Sequence, residues 1–150
     1  MRIAIGADHG GHGLKRELID LLEALGHQVV DVGAYTLDPS DDYPDFAKAV
    51  AESVSTKRTD RGIMMCGSGV GASVATNKVR GVRASVCHDT YSAHQGVEHD
   101  DMNLLCLGVR IVGAELAKEL VNSFVSAQFS GEERHQRRLD KVNAMEANFG

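Results

Sequence analysis

Six consecutive residues, Cys66-Gly67-Ser68-Gly69-Val70-Gly71, put a sulfur, a hydroxyl and alternating glycines into one short segment. Glycine at every second position lets backbone amides approach a ligand with no Cβ in the way. The residues that follow read as a helix, whose positive end would face the same place. Such a nest suits a phosphate or the oxygen of an enolate. A cysteine beside amides and a helix start sits where the thiolate is favoured, and the thiolate is the form that takes up protons. The segment lacks the G-x-G-x-x-G spacing with an acid about 20 residues on, and it lacks the G-K-[ST] of a phosphate loop. A tight turn stays open as its plain reading, and a small buried hydrophobe is the common fate of cysteine.

Other residues with usable chemistry fall at the ends of apolar runs. Asp8-His9-Gly10-Gly11 closes the first run, Asp41-Asp42-Tyr43-Pro44 follows the second, and His99-Asp100-Asp101-Met102-Asn103 precedes the last. Of the seven histidines, His9 and His99 are best placed; His12 falls in the first turn of a helix, His27 at a helix end, and His88 and His94 stay open. Cys87 and Cys106 sit in strand-like apolar runs without a glycine nest, which reads as structural packing. No H-E-x-x-H and no paired His/Cys spacing calls for a metal. Arg134 and Arg138 are four residues apart, so they share one helical face. Two guanidinium groups there can grip a phosphate. The competing reading is a solvated face paired with Glu132, Glu133 and Asp140.

The scaffold that must place these groups reads as alternating strands and helices. Strands are expected at Ile3–Ala7, Gln28–Val32, Gly62–Met65, Arg83–Val86 and Leu104–Leu107. The helix after the first strand carries Leu14, Leu18, Leu21, Leu22 and Leu25 at helical spacing and stops at Gly26. A second helix starts near Pro44 with Asp42 as its cap. Further helices are expected near Ala72–Val79, Tyr91–Glu98 and Val112–Phe129. A last, charged one runs from Glu132 to Ala147. This pattern predicts an α/β domain over residues 1–150, a doubly wound five-stranded parallel sheet of order 2-1-3-4-5. In such sheets ligands bind beyond the carboxyl ends of the strands, where Asp8, Cys66 and their neighbours lie. The last helix is polar nearly all round, which predicts that it reaches a partner subunit.

Composition bounds the function. The chain has 150 residues and a net charge of −5, against a general nucleic-acid binder, which needs a basic face. No apolar run is long enough to span a membrane, and the first residues lack a secretory apolar segment, so a cytoplasmic protein is expected. Three widely spaced cysteines form no disulfide framework.

Gly6-Ala7-Asp8-His9-Gly10-Gly11, Asp42-Tyr43-Pro44, Cys66 to Gly71, Asn77-Lys78 and Arg134-His135-Gln136-Arg137-Arg138 together resemble the ribose-5-phosphate isomerase B family. That family also holds the subunits of galactose-6-phosphate isomerase. The resemblance spans essentially the whole chain and keeps the order and spacing of the motifs. It implies a flavodoxin- or Rossmann-like sheet and a homodimer or homotetramer whose sites combine residues of two subunits. It implies no cofactor and no metal, and a small sugar phosphate as substrate. Cys66 matches the base that removes the C2 proton. Another branch of the family carries a glutamate where this chain has Ala72. Ser68 matches a residue contacting the reacting oxygens, with Gly67, Gly69, Val70 and Gly71 as amide donors. His99 matches the group that opens the sugar ring, with Asp8 nearby, and Tyr43 lines the site. His9, Arg134 and Arg138 match phosphate-binding positions, with Arg110 as a further candidate.

One position departs: many members have asparagine where this chain has Asp100. An amide donates to a sugar hydroxyl, whereas a carboxylate only accepts, so Asp100 bears on which sugar fits. Alternatives to ribose 5-phosphate are a tetrose 4-phosphate, allose 6-phosphate or galactose 6-phosphate. A non-catalytic nucleotide- or flavin-binding module and an inactive subunit of a hetero-oligomer are the other readings.

Overall fold

Side-chain alternation along the central strands divides the molecule into two apolar layers. The computed structural model describes residues 1–149; Gly150, the last residue of the expected domain, lies outside the described residues. Five strands, β1 (Arg2–Ala7), β2 (Gln28–Asp31), β3 (Arg61–Cys66), β4 (Ala84–Val86) and β5 (Leu104–Gly108), form one parallel sheet. Ile3, Ile5, Ile63, Met65, Leu105 and Leu107 face one layer. Ala4, Met64, Cys66, Leu104 and Cys106 face the other. The first layer is closed by α1 (His12–Ala24), α4 (Thr90–Asp100) and α5 (Ala114–Ser126), with Leu18, Leu22, Leu120 and Phe124 fully buried. The second is closed by α2 (Tyr43–Ser55) and α3 (Val70–Thr76), through Ala47, Val50, Ala51 and Ala72. Pro44 lies in the first turn of α2, where its missing N–H costs nothing, and Asp42 holds the cap position.

The strand order is 2-1-3-5-4, which corrects the expected 2-1-3-4-5. Burial explains the exchange. All five residues of β5 are buried, so this strand needs neighbours on both sides. The three residues of β4 are partly or fully open to solvent, and so short a strand suits an edge. That edge is covered by side chains. Asn77 donates to Ala84 O and accepts from Ala84 N, both at 2.9 Å, and Ser85 Oγ donates to Val86 O.

The expected Val112–Phe129 helix is shorter, ending at Ser126, where Arg61 closes it by donating to Phe124 O and Ala127 O. The polar last helix, α6 (Glu133–Phe149), lies on its own chain against α4. It buries His135 and Leu139, and its Glu146 accepts from Gly81 N at 2.8 Å. Val142 and Met145 stay exposed. Among the described residues no helix is long and apolar enough to cross a membrane.

Candidate active site

The carboxyl ends of β1, β3 and β5 and the start of α2 surround a cavity of about 360 Å³. Asp8, His9 and Gly10 come from the end of β1; Cys66, Gly67 and Ser68 from the end of β3; Gly71 from α3. Tyr43 opens α2, and Arg110 and Ile111 follow β5. Two backbone bonds lock the β3 and β5 ends together, Val109 N to Cys66 O and Arg110 N to Gly67 O, both at 3.0 Å. They place the Arg110 side chain over Gly67.

Cys66 is buried, and the amide of Gly69 donates to its Sγ at 3.2 Å. Only glycine serves at position 69. Its φ is +78°, and a Cβ would meet the Gly108 nitrogen and Leu107 carbonyl carbon at 3.0 Å. Gly71 is needed for a different reason: a Cβ there would come within 2.6 Å of the Tyr43 ring. Ser68 is exposed, and Val70 N donates to its Oγ at 3.3 Å.

On the opposite wall, Asp8 Oδ1 accepts from the amides of Gly10 and Gly11 at 2.9 and 3.3 Å. His9 is bound to Asp41, whose Oδ1 lies 3.0 Å from the His9 backbone nitrogen and 2.6 Å from its Nδ1. This bond raises the His9 pKa above its ordinary 6.5; burial opposes it, and Asp8 adds to it. The His9 imidazole, biased toward its charged form, and the Arg110 guanidinium share the cavity with the sulfur, a combination suited to an anionic substrate. Burial disfavours the thiolate at the other two cysteines: Cys106 is pushed up to about 12 and Cys87 is also raised. Asp8, His9 and Asp41 place possible ligand atoms within 4.8 Å, the one such grouping of three among the described residues. Asp8 Oδ1 is already engaged with amides, and His9 Nδ1 with Asp41 Oδ1.

Gly69 and Val70 follow Ser68 at the start of α3 without lining this cavity, and the other four sequence candidates lie elsewhere on the chain. His99, in the last turn of α4, stacks on His135 of α6 with ring centroids 4.0 Å apart, and its Nδ1 lies 2.8 Å from Gln95 Nε2. Burial first, then the charge of His99, lowers the His135 pKa. Arg134 and Arg138 are exposed on α6, with Arg134 held by Glu132 at 3.0 Å. Asp100 lines a separate cavity of about 520 Å³ beside Arg83, Gln95 and Leu139. None of these four lines the Cys66 cavity.

A family model described as Ribose/Galactose Isomerase matches residues 3–142. The chain belongs to the ribose/galactose isomerase family. This isomerase is 43% identical to ribose-5-phosphate isomerase B of Escherichia coli, over 97% of its own length and 96% of that protein. It is 40% identical to D-erythrulose-4-phosphate isomerase of Pectobacterium atrosepticum, over 87% and 86% of the two chains. The structure of Clostridium thermocellum ribose-5-phosphate isomerase B superposes with a TM-score of 0.95, at 46% identity and full coverage of both chains. Sugar-phosphate isomerisation is thus the chemistry of the enzyme.

Sequence reasoning singled out Asp8, His9, Tyr43, Cys66, Gly67, Ser68 and Gly71, and all line the cavity. Arg110 has a larger place there than its standing as a further candidate suggested. Asp41 and Ile111 were not singled out. Asp41 had a readable signal, since it falls in the loop beyond the carboxyl end of β2.

Proposed function

We propose that the enzyme interconverts ribose 5-phosphate and ribulose 5-phosphate in the cytoplasm, with Cys66 as the base and without a cofactor or metal. The observation that carries this reading is the Cys66 sulfur, held by the Gly69 amide at 3.2 Å in a cavity that also contains Ser68, His9 and Arg110. The thiolate removes the C2 proton from the open-chain aldose. The C–H electron pair becomes the C1=C2 bond, and negative charge moves onto O1. In this reading the Ser68 hydroxyl and neighbouring backbone amides of the glycine turn stabilise that charge, the costliest point on the path. The O2 proton then passes to O1, C2=O forms, and the C1=C2 electron pair takes the proton back from Cys66 at C1. His9 and Arg110 hold the phosphate, whose binding energy orients the sugar.

Ring opening needs an acid and base beside the sugar, and the matching residue, His99, lies outside this cavity. A second copy of the chain would bring its own His99, Asp100, Arg134 and Arg138 to the open side. A homodimer or homotetramer with shared sites is therefore part of the proposal. The exposed arginines at the start of α6, Arg134, Arg137 and Arg138, support it.

A tetrose phosphate is the second reading, favoured by the Pectobacterium atrosepticum relative and by Asp100. The test is turnover of ribose 5-, erythrose 4-, allose 6- and galactose 6-phosphate by the metal-free protein, beside Cys66→Ala. Preference for ribose 5-phosphate and a loss of about 10² or more in the variant are expected, the usual cost of a missing general base. Near wild-type turnover in the variant overturns the base assignment. A different leading sugar overturns the substrate, and no turnover of any sugar returns the binding-module reading.

A further inference from the structure

We propose that Asp41 is a positioning residue that holds the His9 ring as a charged donor to the substrate's phosphate; the proposal rests on the sugar-phosphate reading of the cavity. Both donors of His9, its backbone N–H and its ring Nδ1, reach the same carboxylate oxygen, Asp41 Oδ1. An oxygen that accepts from a backbone N–H is an acceptor, so Nδ1 is the donor in the 2.6 Å contact. That leaves Nε2 as the ring atom for the cavity. Two bonds to one oxygen also hold the backbone and the ring together, which narrows the orientation of the imidazole.

The other oxygen, Asp41 Oδ2, is buried with no hydrogen-bond partner among the described residues, and the side chain is only 10% exposed. A buried carboxylate with one bare oxygen is costly unless a positive group lies against it. The His9 ring is the group in contact. If the ring loses its charge, that carboxylate is left under-compensated, so the pair favours the imidazolium. The groups around the ring are Asp8 at the end of β1, Asp38 and Asp41 in the loop after β2, and Arg110 after β5. The Arg110 charge opposes protonation; the Asp8 and Asp41 carboxylates outweigh it, and the His9 pKa is raised. Charged, His9 presents Nε2–H to a phosphate oxygen beside the Arg110 guanidinium. Neutral, the same nitrogen is an acceptor and repels that oxygen.

The sign of the pH dependence follows. The His9–Asp41 attraction contributes fully below the ring's unfolded value of about 6.5 and is lost as pH rises through the raised folded value. Phosphate binding weakens over the same interval.

The test uses the full chain with labelled histidine and compares wild type with Asp41→Asn and Asp41→Ala. In the wild type, the His9 resonance titrates above 6.5; in both variants it titrates lower. A shift of one unit leaves about tenfold less imidazolium at alkaline pH. KM for the sugar phosphate at pH 8 then rises up to about tenfold, with kcat changed less, and the two KM values converge at pH 5.5, where the ring is charged in both proteins. Combining Asp41→Asn with His9→Gln adds no further loss. Binding of inorganic phosphate, read by its chemical shift, follows the KM pattern without turnover. An unchanged His9 titration, or a loss equal at pH 5.5 and pH 8, overturns the proposal. If no sugar phosphate turns over but the titration and phosphate binding shift as stated, the positioning role stands and the isomerase reading falls. If Asp41→Asn fails to fold, Asp41→Ala and the pH dependence of KM in His9→Gln carry the same comparison; a wild-type pH dependence in His9→Gln overturns the proposal.

Discussion

Two of the three cysteines, Cys66 and Cys106, lie in the sheet and Cys87 directly follows β4, and their surroundings give them different chemistry. Cys66 borders a cavity and accepts from an amide. Cys106 is wholly enclosed in the second layer, which pushes its thiol to about 12. Cys87 is buried and raised as well. Alkylation by iodoacetamide at pH 8, followed by peptide mass spectrometry, should therefore mark Cys66 first and leave Cys106 unlabelled until the protein unfolds, because only a thiolate attacks. Inorganic phosphate should slow the Cys66 reaction if the cavity holds an anion. Equal labelling of all three would contradict the burial seen here. The sequence separated these cysteines by the glycines after Cys66 alone, and that local signal is enough because the amide that reaches its sulfur lies three residues on. It is not enough for Asp41, whose partner lies 32 residues away and is brought near only by the pairing of β1 with β2.

Strands and helices were readable because each carries a short apolar period bounded by turn residues. The order of the last two strands was not, since hydrophobic pattern says which strand is buried only when lengths are compared. Five enclosed residues in β5 against three half-open ones in β4 is the deciding contrast. Tight element contacts were also invisible in the pattern. Gly11, at the cap of α1, leaves no room for a Cβ, which would lie 2.6 Å from Met65 Cβ and 3.0 Å from Ala7 Cβ. Both neighbours are fixed to strand backbones. Gly11→Ala should thus cost about 1–3 kcal/mol, the usual cost of overpacking, and lower the thermal midpoint. Gly13, two residues on, has nothing within 4 Å of its missing Cβ. Gly13→Ala should be neutral or stabilising by up to about 1 kcal/mol through helix propensity. Thermal melts of the two variants check the pair; equal melts would show that α1 can shift away from the sheet.

Across the whole molecule, the residues matched to one reaction lie in two places. Cys66, His9 and Arg110 share a cavity, while His99, Arg134 and Arg138 sit on α4 and α6 outside it. No single chain read along its length reveals that separation, because motifs carry no information on which copy completes them. If a two-fold pair shares its sites, each site takes Cys66 from one chain and His99 from the other. Co-expressing Cys66→Ala with His99→Asn then regenerates one intact site in every mixed dimer. Activity should recover to about a quarter of wild type, since half of the dimers are mixed and each has one working site of two. Recovery no greater than the sum of the separate variants would confine the reaction to one chain.

The Asn77 amide beside β4 has a bearing on how the protein behaves when crowded. A parallel sheet five strands wide ends on that side in a strand that could recruit another chain's backbone and begin a fibril. The amide stands in for the missing neighbour, taking up both polar groups of Ala84, while Ser85 takes the carbonyl of Val86. Two short polar side chains thereby do what other folds assign to a charged rim or a covering helix. On this side of the molecule, resistance to edge-to-edge association should therefore depend on positions 77 and 85.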